Sequence, residues 1–535
     1  MDIDTGQKIK FNKATIDYSE TGFYSPIILD YLSRSEKLRP FYGEYHSAEA
    51  FKKQLEFKKG FEHRQVLVDA LRKQYKSSKL KSDSIDTLLD EKTFTVTTGH
   101  QLCLFTGPLY FVFKIISAIN TCERLKEECP AYNFIPVFWM ASEDHDFEEA
   151  NHFFLKNRKV EWESGQGGTV GRMSTVGMKE LAEELKDAFG VGYHAAELHQ
   201  LFERAYTRYA NIADATRFLV HELFGAYGVI SIDADDAELK ALAIPYFKKE
   251  FESQTSFKEV EKTNAELGKS YDLQVTPREI NLFYMDEELR ERIISSGEGF
   301  TVNHTDMEFT REEIIKLLND SPEKFSPNVV LRPFYQEVIL PNLAYIGGGG
   351  ELAYWFQLKG VFDAHEVPFP ILMLRNSAMI IESKVHTKME KLGLTHRDLF
   401  LDQVKLEKLL ISENSTDRLN LDKEMDELQE VFDKIEDRLK EIDPTLERSA
   451  KSGLARTERI VKNLEKKMFR ATRKKEKALV DSIYTIKNEL FPFGGLQERR
   501  WNFSVFYAKM GDSVIEKCLK HLDPFDSTFT ILTEN

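Results

Sequence analysis

The spacing of apolar residues changes along the chain and separates helical from strand-forming stretches. Residues 1 to about 90 carry apolar positions three and four residues apart, which predicts mainly helical scaffolding. The pattern then becomes β-rich in TFTVTT (93–98), passes through a turn-rich loop and a helix that begins beside Pro108, and ends in the apolar strand FIPVFWM (134–140). A strand, helix and strand in this order predict a βαβ unit with a parallel sheet.

Three further apolar runs are candidates for strands of the same sheet. They are GVISID (228–233), NVVLRP (328–333) and FPILML (369–374), each separated from the next by helical or irregular stretches. The residues between about 155 and 325 are charged and less regular, which is typical of insertions that build a lid or a substrate wall. The predicted fold class is therefore α/β, with a Rossmann-like parallel-sheet core and inserted connecting segments.

From about residue 385 the chain becomes helical and highly charged, and apolar residues return every three or four positions. This spacing is the apolar stripe of a coiled coil. The first stripe is Leu421, Met425, Leu428, Phe432, Ile435, Leu439 and Ile442, and the second is Leu454, Val461, Leu464, Met468, Ala471 and Ala478. Asp443 and Pro444 separate the stripes, so we predict an antiparallel helical hairpin. A lone hairpin leaves apolar surface exposed, which predicts a second subunit as its partner and hence a homodimer.

These patterns predict three regions. Residues 1–385 form the Rossmann-like core with a helical N-terminal region and the insertions, 386–485 form a coiled-coil dimerisation arm, and 486–535 form a C-terminal segment that packs back on the core. Within this last segment, residues 496–511 mix basic, amide and aromatic side chains. They either close a pocket against the core or dock the tail.

Composition narrows the classes of function. The 535 residues include 73 Lys and Arg against 88 Asp and Glu, a formal net charge of −15. This balance argues against nucleic acid or a membrane surface as partner, although a local basic pocket for a small anion remains compatible with it. The chain has no apolar run of about 18 residues and no leader pattern, and its four cysteines lack CxxC spacing. We therefore expect a cytoplasmic protein without disulfides.

The first candidate site is the loop between the strand 93–98 and the following helix. Its residues of interest are Thr98, Gly99, His100, Gln101 and Gly107. In an open parallel sheet this loop lies at the carboxyl end of a strand, where ligands bind, and a helix start offers N–H groups to an anion. The loop is neither a Walker A loop nor a GxGxxG fingerprint, so only its position indicates a nucleotide. The alternative is a turn whose glycines serve backbone geometry, with His100 as an ordinary polar residue. Cys103 in the same loop is expected to be a packing residue and not a nucleophile.

A run of acids and histidines directly follows the strand 134–140. Its members are Glu143, Asp144, His145, Asp146, Glu148, Glu149 and His152. Carboxylates and histidines at the end of a strand can bind a cation, act as general acid or base, or hold an amine. The alternative is a capped helix start, because Asp146 and Glu149 have capping-box spacing, but capping accounts for only one or two of the acids. The histidines lack HExxH spacing, which leaves zinc as a minor alternative.

Three later groups complete the candidates. Four glycines at 347–350 let a backbone approach a ligand, and near them in sequence lie Arg332, Gln336, Glu351, Tyr354 and Gln357. The alternative is a flexible loop before a core aromatic helix. The strand 369–374 is followed by Arg375, Asn376 and Ser377, where the arginine either binds phosphate or pairs with an acid of the sheet. The C-terminal segment adds Gln497, Arg499 and Asn502.

At these motifs the sequence resembles the bacillithiol biosynthesis cysteine-adding enzyme family. The matching stretches are TGHQ…LFTGPLYFVFKI (98–115), PVFWMASEDHDFEEANH (136–152), LRPFYQ…LPNLAYIGGGGELAYW (331–355), LMLRNS (372–377) and LQERRWN (496–502). The resemblance implies a Rossmann-like core with connecting insertions and a coiled coil that mediates dimerisation. It also implies a ligase that joins cysteine to the amino group of glucosaminyl malate, the last step to bacillithiol, through an activated carboxylate.

On this resemblance the candidate residues take hypothetical roles. The catalytic group is His100, Gln101, Glu143, Asp144, His145 and Asp146, of which the first two hold the activated carboxylate and the others bind the ammonium and accept its proton. The substrate-binding group is Thr98, Gly99, Gly107, Arg332, Gln336, Glu351, Tyr354 and Gln357. The group for ATP or ADP is Arg375, Asn376, Ser377, Gln497, Arg499 and Asn502, and no metal ligand is assigned. The rival hypotheses are a nucleotide-binding dimeric scaffold without turnover and a metal-dependent hydrolase.

Overall fold

The computed structural model describes residues 10–414 and 419–535. The chain divides into two compact units, of which the first comprises Met1–Ile380, Gly495–Thr533 and Asn535, and the second comprises Ile381–Gly494 and Glu534. Residues 1–9 of the predicted core and 415–418 of the predicted arm lie outside the described residues. Among the helices of the described part, none is both long enough and apolar enough to span a bilayer.

The strands of the described residues form four sheets. In chain order they are β1 (Phe11–Asp17), β2 (Thr93–Gln101), β3 (Asn133–Ala141), β4 (His152–Leu155), β5 (Arg158–Glu161), β6 (Ile230–Asp233), β7 (Leu282–Met285), β8 (Arg290–Ser296), β9 (Gly299–Val302), β10 (Glu308–Thr310), β11 (Phe325–Pro327), β12 (Asn342–Gly347), β13 (Ile371–Leu374), β14 (Ala378–Ile381) and β15 (Thr528–Glu534).

The α-helices cover the sheets and build the second unit. In chain order they are α1 (Tyr18–Thr21), α2 (Pro26–Leu32), α3 (Ala48–Lys58), α4 (Arg64–Ser77), α5 (Ser84–Thr87), α6 (Tyr110–Glu128), α7 (Phe147–Ala150), α8 (Met178–Ala188), α9 (Tyr193–Arg208), α10 (Ile212–Phe224), α11 (Ala237–Ala241), α12 (Ile244–Ser253), α13 (Thr255–Leu267), α14 (Arg311–Asp320), α15 (Leu331–Ile339), α16 (Gly349–Ala364), α17 (Ser383–Lys391), α18 (Gln403–Asn414), α19 (Asp422–Ile442), α20 (Glu447–Lys475), α21 (Lys477–Leu490), α22 (Ser504–Met510) and α23 (Ser513–His521).

A five-stranded sheet in the order β13-β12-β2-β3-β6 forms the centre of the first unit, and every neighbouring pair in it is parallel. Residues 93–99 of β2 are buried throughout, as expected for a central strand between two helical layers. From β2 the chain adds strands first on one side and then on the other, so the topological switch point lies between β2 and β12. The predicted Rossmann-like α/β core is confirmed, including the strands predicted at 93–98, 134–140, 228–233 and 369–374.

The strand predicted at 328–333 is wrong. The side chain of Asn328 accepts hydrogen bonds from Val330 N at 2.9 Å and Leu331 N at 3.4 Å, which starts helix α15 instead. The corresponding strand of the central sheet is β12, which ends at Gly347, the first of the four glycines. Arg332 and Gln336 therefore lie on a helix that leads into this strand, and not at the end of a strand.

The segment inserted after β6 builds a separate antiparallel sheet in the order β10-β9-β8-β7-β11. A third sheet, β1-β15-β14, joins the start of the described chain to its end. The expectation of a mainly helical N-terminal region thus misses β1, an edge strand of this sheet in which only Ile16 is buried. The fourth sheet is the β4-β5 hairpin, which follows the acidic run of residues 143–149.

The second unit contains the predicted coiled coil. Helices α19 and α20 run antiparallel, since Lys440 pairs with Glu447 at 3.6 Å, Lys451 pairs with Glu436 at 3.8 Å, and Glu465 accepts from Leu421 N at 2.9 Å. The break at Asp443 and Pro444 is confirmed.

Not every residue of the two predicted stripes is covered by the partner helix. Ile435 and Ile442 of the first stripe and Leu464, Ala471 and Ala478 of the second are exposed. The buried positions of α20 are Ala450, Val461 and Thr472, and Glu465 and Met468 are half-buried between the last two. From Val461 to Thr472 these positions are four, three and four residues apart, which is the spacing of one helix face. A choice by apolar side chains alone therefore misses part of this face.

Candidate active site

Side chains from strand ends and from the loops and helices that follow them meet at the carboxyl edge of the parallel sheet and form two neighbouring groups. We name the first the switch-point crevice and define it by His100, Tyr110, Lys114, Glu351 and Arg375. The second, the acidic pocket, is an open cavity of about 700 Å³ lined by Gln101, Asp144, His145, Asp146, Phe147, Glu148 and Glu149. Both groups follow from the parallel topology, which brings the ends of distant strands to one edge.

An ion pair between buried Lys114 and half-buried Glu351 forms the centre of the switch-point crevice. Lys114 Nζ lies 2.6 Å from Glu351 Oε2 and donates to Gly99 O at 2.7 Å. Glu351 also accepts from Gly348 N at 2.7 Å and from the Tyr345 hydroxyl at 2.8 Å. Burial alone would raise the pKa of Glu351, but Lys114 and these donors hold it below its usual value. The carboxylate of Glu351 thus occupies the N-terminus of α16, where a ligand anion would otherwise be favoured.

Lys114 is a buried charged residue at this edge of the sheet that the sequence reasoning missed. Its signal is a lysine in the middle of an otherwise apolar helix, YFVFKIISAI, since a buried lysine requires a partner. Burial lowers the pKa of Lys114, and the nearby Glu351 opposes that effect.

His100 has both ring nitrogens engaged within the protein. Nδ1 donates to Gln101 O at 2.9 Å, and Nε2 accepts from the Tyr110 hydroxyl at 3.1 Å. Burial, aided by the charge of Lys114, lowers the pKa of His100 to about 4. His100 is therefore neutral at pH 7, and its contacts hold Tyr110 and the end of β2 in place. Thr98 is also engaged, because its hydroxyl donates to Ile346 O at 2.8 Å.

The loop before α6 has an unusual backbone. Phe105, Thr106 and Gly107 have φ of 46°, 70° and 65°, a conformation that is unfavourable for the first two residues. Asn502 Nδ2 stabilises this loop by donating to Phe105 O at 2.7 Å and Gly107 O at 2.6 Å. Cys103 is buried beneath the loop, and burial raises its pKa to about 12, so it is a packing thiol.

The residues predicted to bind a nucleotide do not gather around one open space. Arg375 donates to Glu498 Oε1 at 2.8 Å and to the Ser377 hydroxyl at 3.0 Å, which is the acid pairing considered as its alternative role. Asn376 bonds Ser117 and Asp523 O, and Gln497 bonds the backbone of Ile380. Asn502 holds the loop before α6, and Arg499 is exposed. Most donors of this group are therefore occupied by protein atoms.

Helices α15 and α16 carry five of the predicted substrate residues, and Arg332 Nη1 donates to Gln336 Oε1 at 3.2 Å. The amide of Gln357 is buried and bonds Asn264 and the backbone of residues 274 and 275. Gln357 therefore has a structural role, in which it holds these segments against α16. Gln336 is buried and bonds Glu337. Arg332 lies between the rings of Trp139 and Tyr345, at 5.6 and 5.7 Å, and its buried Nη2 has no hydrogen-bond partner in the described structure. This orphaned donor suits an anionic group of a ligand.

Gln101 organises the acidic pocket. Its Nε2 donates to Asp144 Oδ2 and to Glu149 Oε2, both at 2.8 Å, and thereby joins the end of β2 to the loop after β3. The other oxygen of Asp144 accepts from His145 N at 2.8 Å. Asp146 Oδ1 accepts from Glu149 N at 3.2 Å, so the helix-cap alternative holds for Asp146. Asp144 is the carboxylate whose position is fixed from both sides.

Glu143 belongs to a buried network behind the acidic pocket. Its carboxylate forms an ion pair with buried Lys240, which also lies 3.2 Å from Asp235. Burial raises the pKa of Glu143, and Lys240 opposes the effect. The structure therefore separates Glu143 from Asp144, His145 and Asp146, which line the pocket.

Arg290 from β8 reaches His145 and was missed by the sequence reasoning. Arg290 Nη1 lies 2.8 Å from His145 Nδ1, and its guanidinium stacks 4.0 Å above the ring of Phe283. Partial burial, followed by the charge of Arg290, lowers the pKa of His145. Across residues 10–414 and 419–535, no group of three or more His, Cys, Asp or Glu side chains is arranged to hold a metal ion.

Family models and curated relatives match almost the whole chain. The model of the N-terminal Rossmann-like domain of bacillithiol biosynthesis BshC matches residues 11–376, and that of its C-terminal coiled-coil domain matches residues 378–534. Curated proteins named "Putative cysteine ligase BshC" are similar throughout. The Flavobacterium psychrophilum protein is 44% identical over 97% of this chain and 98% of its own, and the Flavobacterium johnsoniae protein is 43% identical over 97% and 99%. The Christiangramia forsetii protein is 42% identical over 97% and 98%.

Proposed function

Because the chain belongs to the bacillithiol biosynthesis BshC family, we propose that it is the ligase that joins the carboxyl group of cysteine to the amino group of glucosaminyl malate, the last step to bacillithiol. The relatives named as cysteine ligases support cysteine as one substrate. The acceptor follows from the family resemblance. The observation that carries the proposal is the open acidic pocket in which Gln101 holds Asp144.

An acceptor amine must lose a proton before it can attack. The acidic side chains of the pocket attract the ammonium form, and Asp144 accepts its proton. The neutral nitrogen then attacks the activated carboxyl carbon of cysteine, and the carbon–nitrogen bond forms as the leaving group departs. Gln101 keeps the carboxylate of Asp144 in place while the proton moves, since it donates to the oxygen that the backbone does not hold.

Arg332 would hold the anionic part of a substrate. Its buried Nη2 needs an acceptor, and a malate carboxylate or a phosphate provides one. Burial alone would lower the pKa of Arg332, but half-buried Tyr354 lies close enough to help raise it above its usual value. ATP or ADP would supply the activation of the cysteine carboxyl group when bound. Arg375, which was predicted to bind the nucleotide, is already paired with Glu498. Arg332 is therefore the better candidate to bind a phosphate group.

A product assay tests the proposal. The purified full-length chain is incubated with glucosaminyl malate, cysteine and ATP, and mass spectrometry follows bacillithiol together with AMP and ADP. We expect bacillithiol to form only with all three substrates, and the nucleotide product then reports the mode of activation. Binding of substrates without any product would instead favour the scaffold hypothesis. Chelator-sensitive hydrolysis of a substrate without bacillithiol formation would instead favour the metal-dependent hydrolase.

We also propose that the hairpin of the second unit pairs with a second copy of the chain. Large apolar side chains remain exposed along it, namely Val431, Ile435, Ile442, Ile460 and Leu464. Isolated apolar residues are common on surfaces, but five on one helical hairpin favour a protein interface. The partner is a second copy because the family resemblance implies a dimer.

Sedimentation tests this pairing. Ile435 and Leu464, 41% and 46% exposed, are replaced together by lysine, and we expect the dimer to dissociate because two buried charges would face the interface. Val404→Lys, 59% exposed on α18, is the matched control and should leave the dimer intact. A wild-type chain that sediments as a monomer would contradict the pairing.

A further inference from the structure

The contact between Arg290 and His145 joins the inserted antiparallel sheet to the acidic pocket. Arg290 is the first residue of β8, and its side chain is fixed from the rear, since Nε donates to the Ser326 hydroxyl at 3.1 Å. At its front, Nη1 lies 2.8 Å from His145 Nδ1. His145 follows the parallel strand β3, so the two residues come from different layers of the first unit.

The chemistry of this contact fixes the proton on the imidazole. A guanidinium has only donors and does not lose its proton in proteins, so Nδ1 of His145 must be the acceptor. A neutral imidazole that accepts at Nδ1 carries its proton on Nε2. Within the described residues Nε2 has no hydrogen-bond partner, and His145 lines the acidic pocket. The ring therefore offers one donor to a ligand and no free acceptor.

We infer that Arg290 is a positioning residue that holds His145 as a neutral imidazole with its proton on Nε2, so that His145 donates to an oxygen of the substrate and leaves proton acceptance to Asp144. The inference rests on the proposed ligase function and gives His145 and Asp144 different roles in it, as hydrogen-bond donor and as proton acceptor. The oxygen that develops negative charge when an amine attacks a carboxyl carbon is the natural acceptor of such a donor. No proton leaves Arg290 or His145 in this step.

Other charges around His145 oppose the effect of Arg290. Asp144 Oδ1 lies 3.8 Å from Nδ1, and Asp146 and Glu291 also favour a protonated ring. His145 is a neutral imidazole only if the effect of Arg290 on its protonation exceeds that of these acids. Because the acids and Arg290 act in opposite directions, removal of Arg290 should change the protonation and the tautomer of His145. Both can be measured without any substrate.

Nitrogen NMR of the full-length chain with ¹⁵N-labelled histidine tests the inference directly. The His145 signals are identified by their loss in His145→Gln, and their shifts are followed with pH. In the wild-type chain we expect the proton on Nε2 and a titration midpoint below that of an ordinary histidine. In Arg290→Met we expect a mixture of both tautomers and a midpoint raised by about one pH unit, because the repelling cation and the donor are gone.

Three further variants separate a positioning role from a structural one. Arg290→Lys keeps a cationic donor and should retain the wild-type tautomer, and Arg292→Met, which removes an exposed cation of the same strand, should change neither quantity. In the product assay, Arg290→Met should lower kcat about 10-fold with a smaller effect on KM. Added to His145→Gln, it should cause no further loss, since it acts through that ring.

The outcomes distinguish this inference from the proposed function. A wild-type ring protonated on Nδ1 overturns the inference even if Arg290→Met does not fold. Equal tautomer ratios and midpoints in the wild type and Arg290→Met also overturn it, whether or not bacillithiol is formed. The expected NMR response in a chain that forms no amide would instead refute the ligase proposal and leave the Arg290–His145 coupling intact.

Discussion

The switch-point crevice and the acidic pocket lie at the same edge of one sheet but use their polar groups differently. In the crevice, Lys114 and Glu351 pair with each other, and His100 and Arg375 are bonded to neighbouring protein atoms. In the acidic pocket the carboxylates of Asp144, Asp146, Glu148 and Glu149 line an open cavity. The crevice is therefore built mainly to hold the strand ends rigid, and the pocket is built to receive a ligand.

This difference shows that position at a strand end is insufficient to identify a catalytic residue. The switch-point rule favours the crevice as the ligand site. Yet its helix N-terminus already holds the carboxylate of Glu351, whereas the orphaned donor of Arg332 lies on α15 and open carboxylates line the acidic pocket. Variants in the crevice should consequently affect stability first, whereas variants in the pocket should affect turnover first.

The largest expected loss of stability comes from breaking the central ion pair of the crevice. Lys114→Met leaves the carboxylate of Glu351 without its buried cation, and we expect the free energy of unfolding to fall by about 3–5 kcal/mol. Denaturant unfolding measures the loss. Lys159→Met, which removes the cation of the exposed pair with Glu161, is the control and should change stability little. Equal losses in both variants would mean that the crevice pair has no structural role.

The loop before α6 should be the next most sensitive feature. Gly107 has φ of 65°, and a Cβ at this position would lie 2.6 Å from Cys103 Cβ. Gly107→Ala should therefore lower the free energy of unfolding by about 2–3 kcal/mol. Gly350→Ala is the matched control, because it lies in the first turn of α16 with no atom within 4 Å of the added carbon. A loop that tolerates both substitutions equally would not be strained.

A smaller, pH-dependent effect should come from His100. Its pKa is about 4 in the folded chain and near 6.5 when exposed, so below pH 6.5 the unfolded chain binds a proton that the folded chain does not. Stability is therefore lost as the pH falls from 6.5 to 4. His100→Gln removes this titration, and the loss over that interval should become about 2 kcal/mol smaller. Denaturant unfolding at several pH values gives the comparison, and identical pH profiles would contradict the neutral state of His100.

Local patterns predicted much of this fold. The strand at 93–98, the helix beside Pro108 and the strand at 134–140 follow from periodicity, and parallel pairing then brings Gln101 to Asp144. The segment 328–333 was misassigned because its β-branched residues resemble a strand. The local turn at Asn328, whose side chain accepts from the backbone two and three residues later, starts α15 instead. The family resemblance is confirmed over both domains.

The remaining parts of the site depend on contacts that no sequence pattern reports. Arg290 lies 145 positions after His145 in an inserted sheet, and its neighbours in sequence are ordinary strand residues. Similarly, the acids at 143–149 look equivalent in sequence, and only Lys240, contributed by α11, removes Glu143 from the pocket. Partners from distant elements thus decide which members of a charged run are available for chemistry.

Turnover of Asp144→Asn tests the central claim most directly, because the substitution removes the proposed proton acceptor and preserves the shape of the side chain. The rate of bacillithiol formation from glucosaminyl malate, cysteine and ATP is measured together with the free energy of unfolding, with Asp69→Asn on the surface of α4 as control. We expect Asp144→Asn to be at least about 100-fold slower than the wild type at unchanged stability, and the control to be fully active. Wild-type turnover by Asp144→Asn would contradict the role of the acidic pocket.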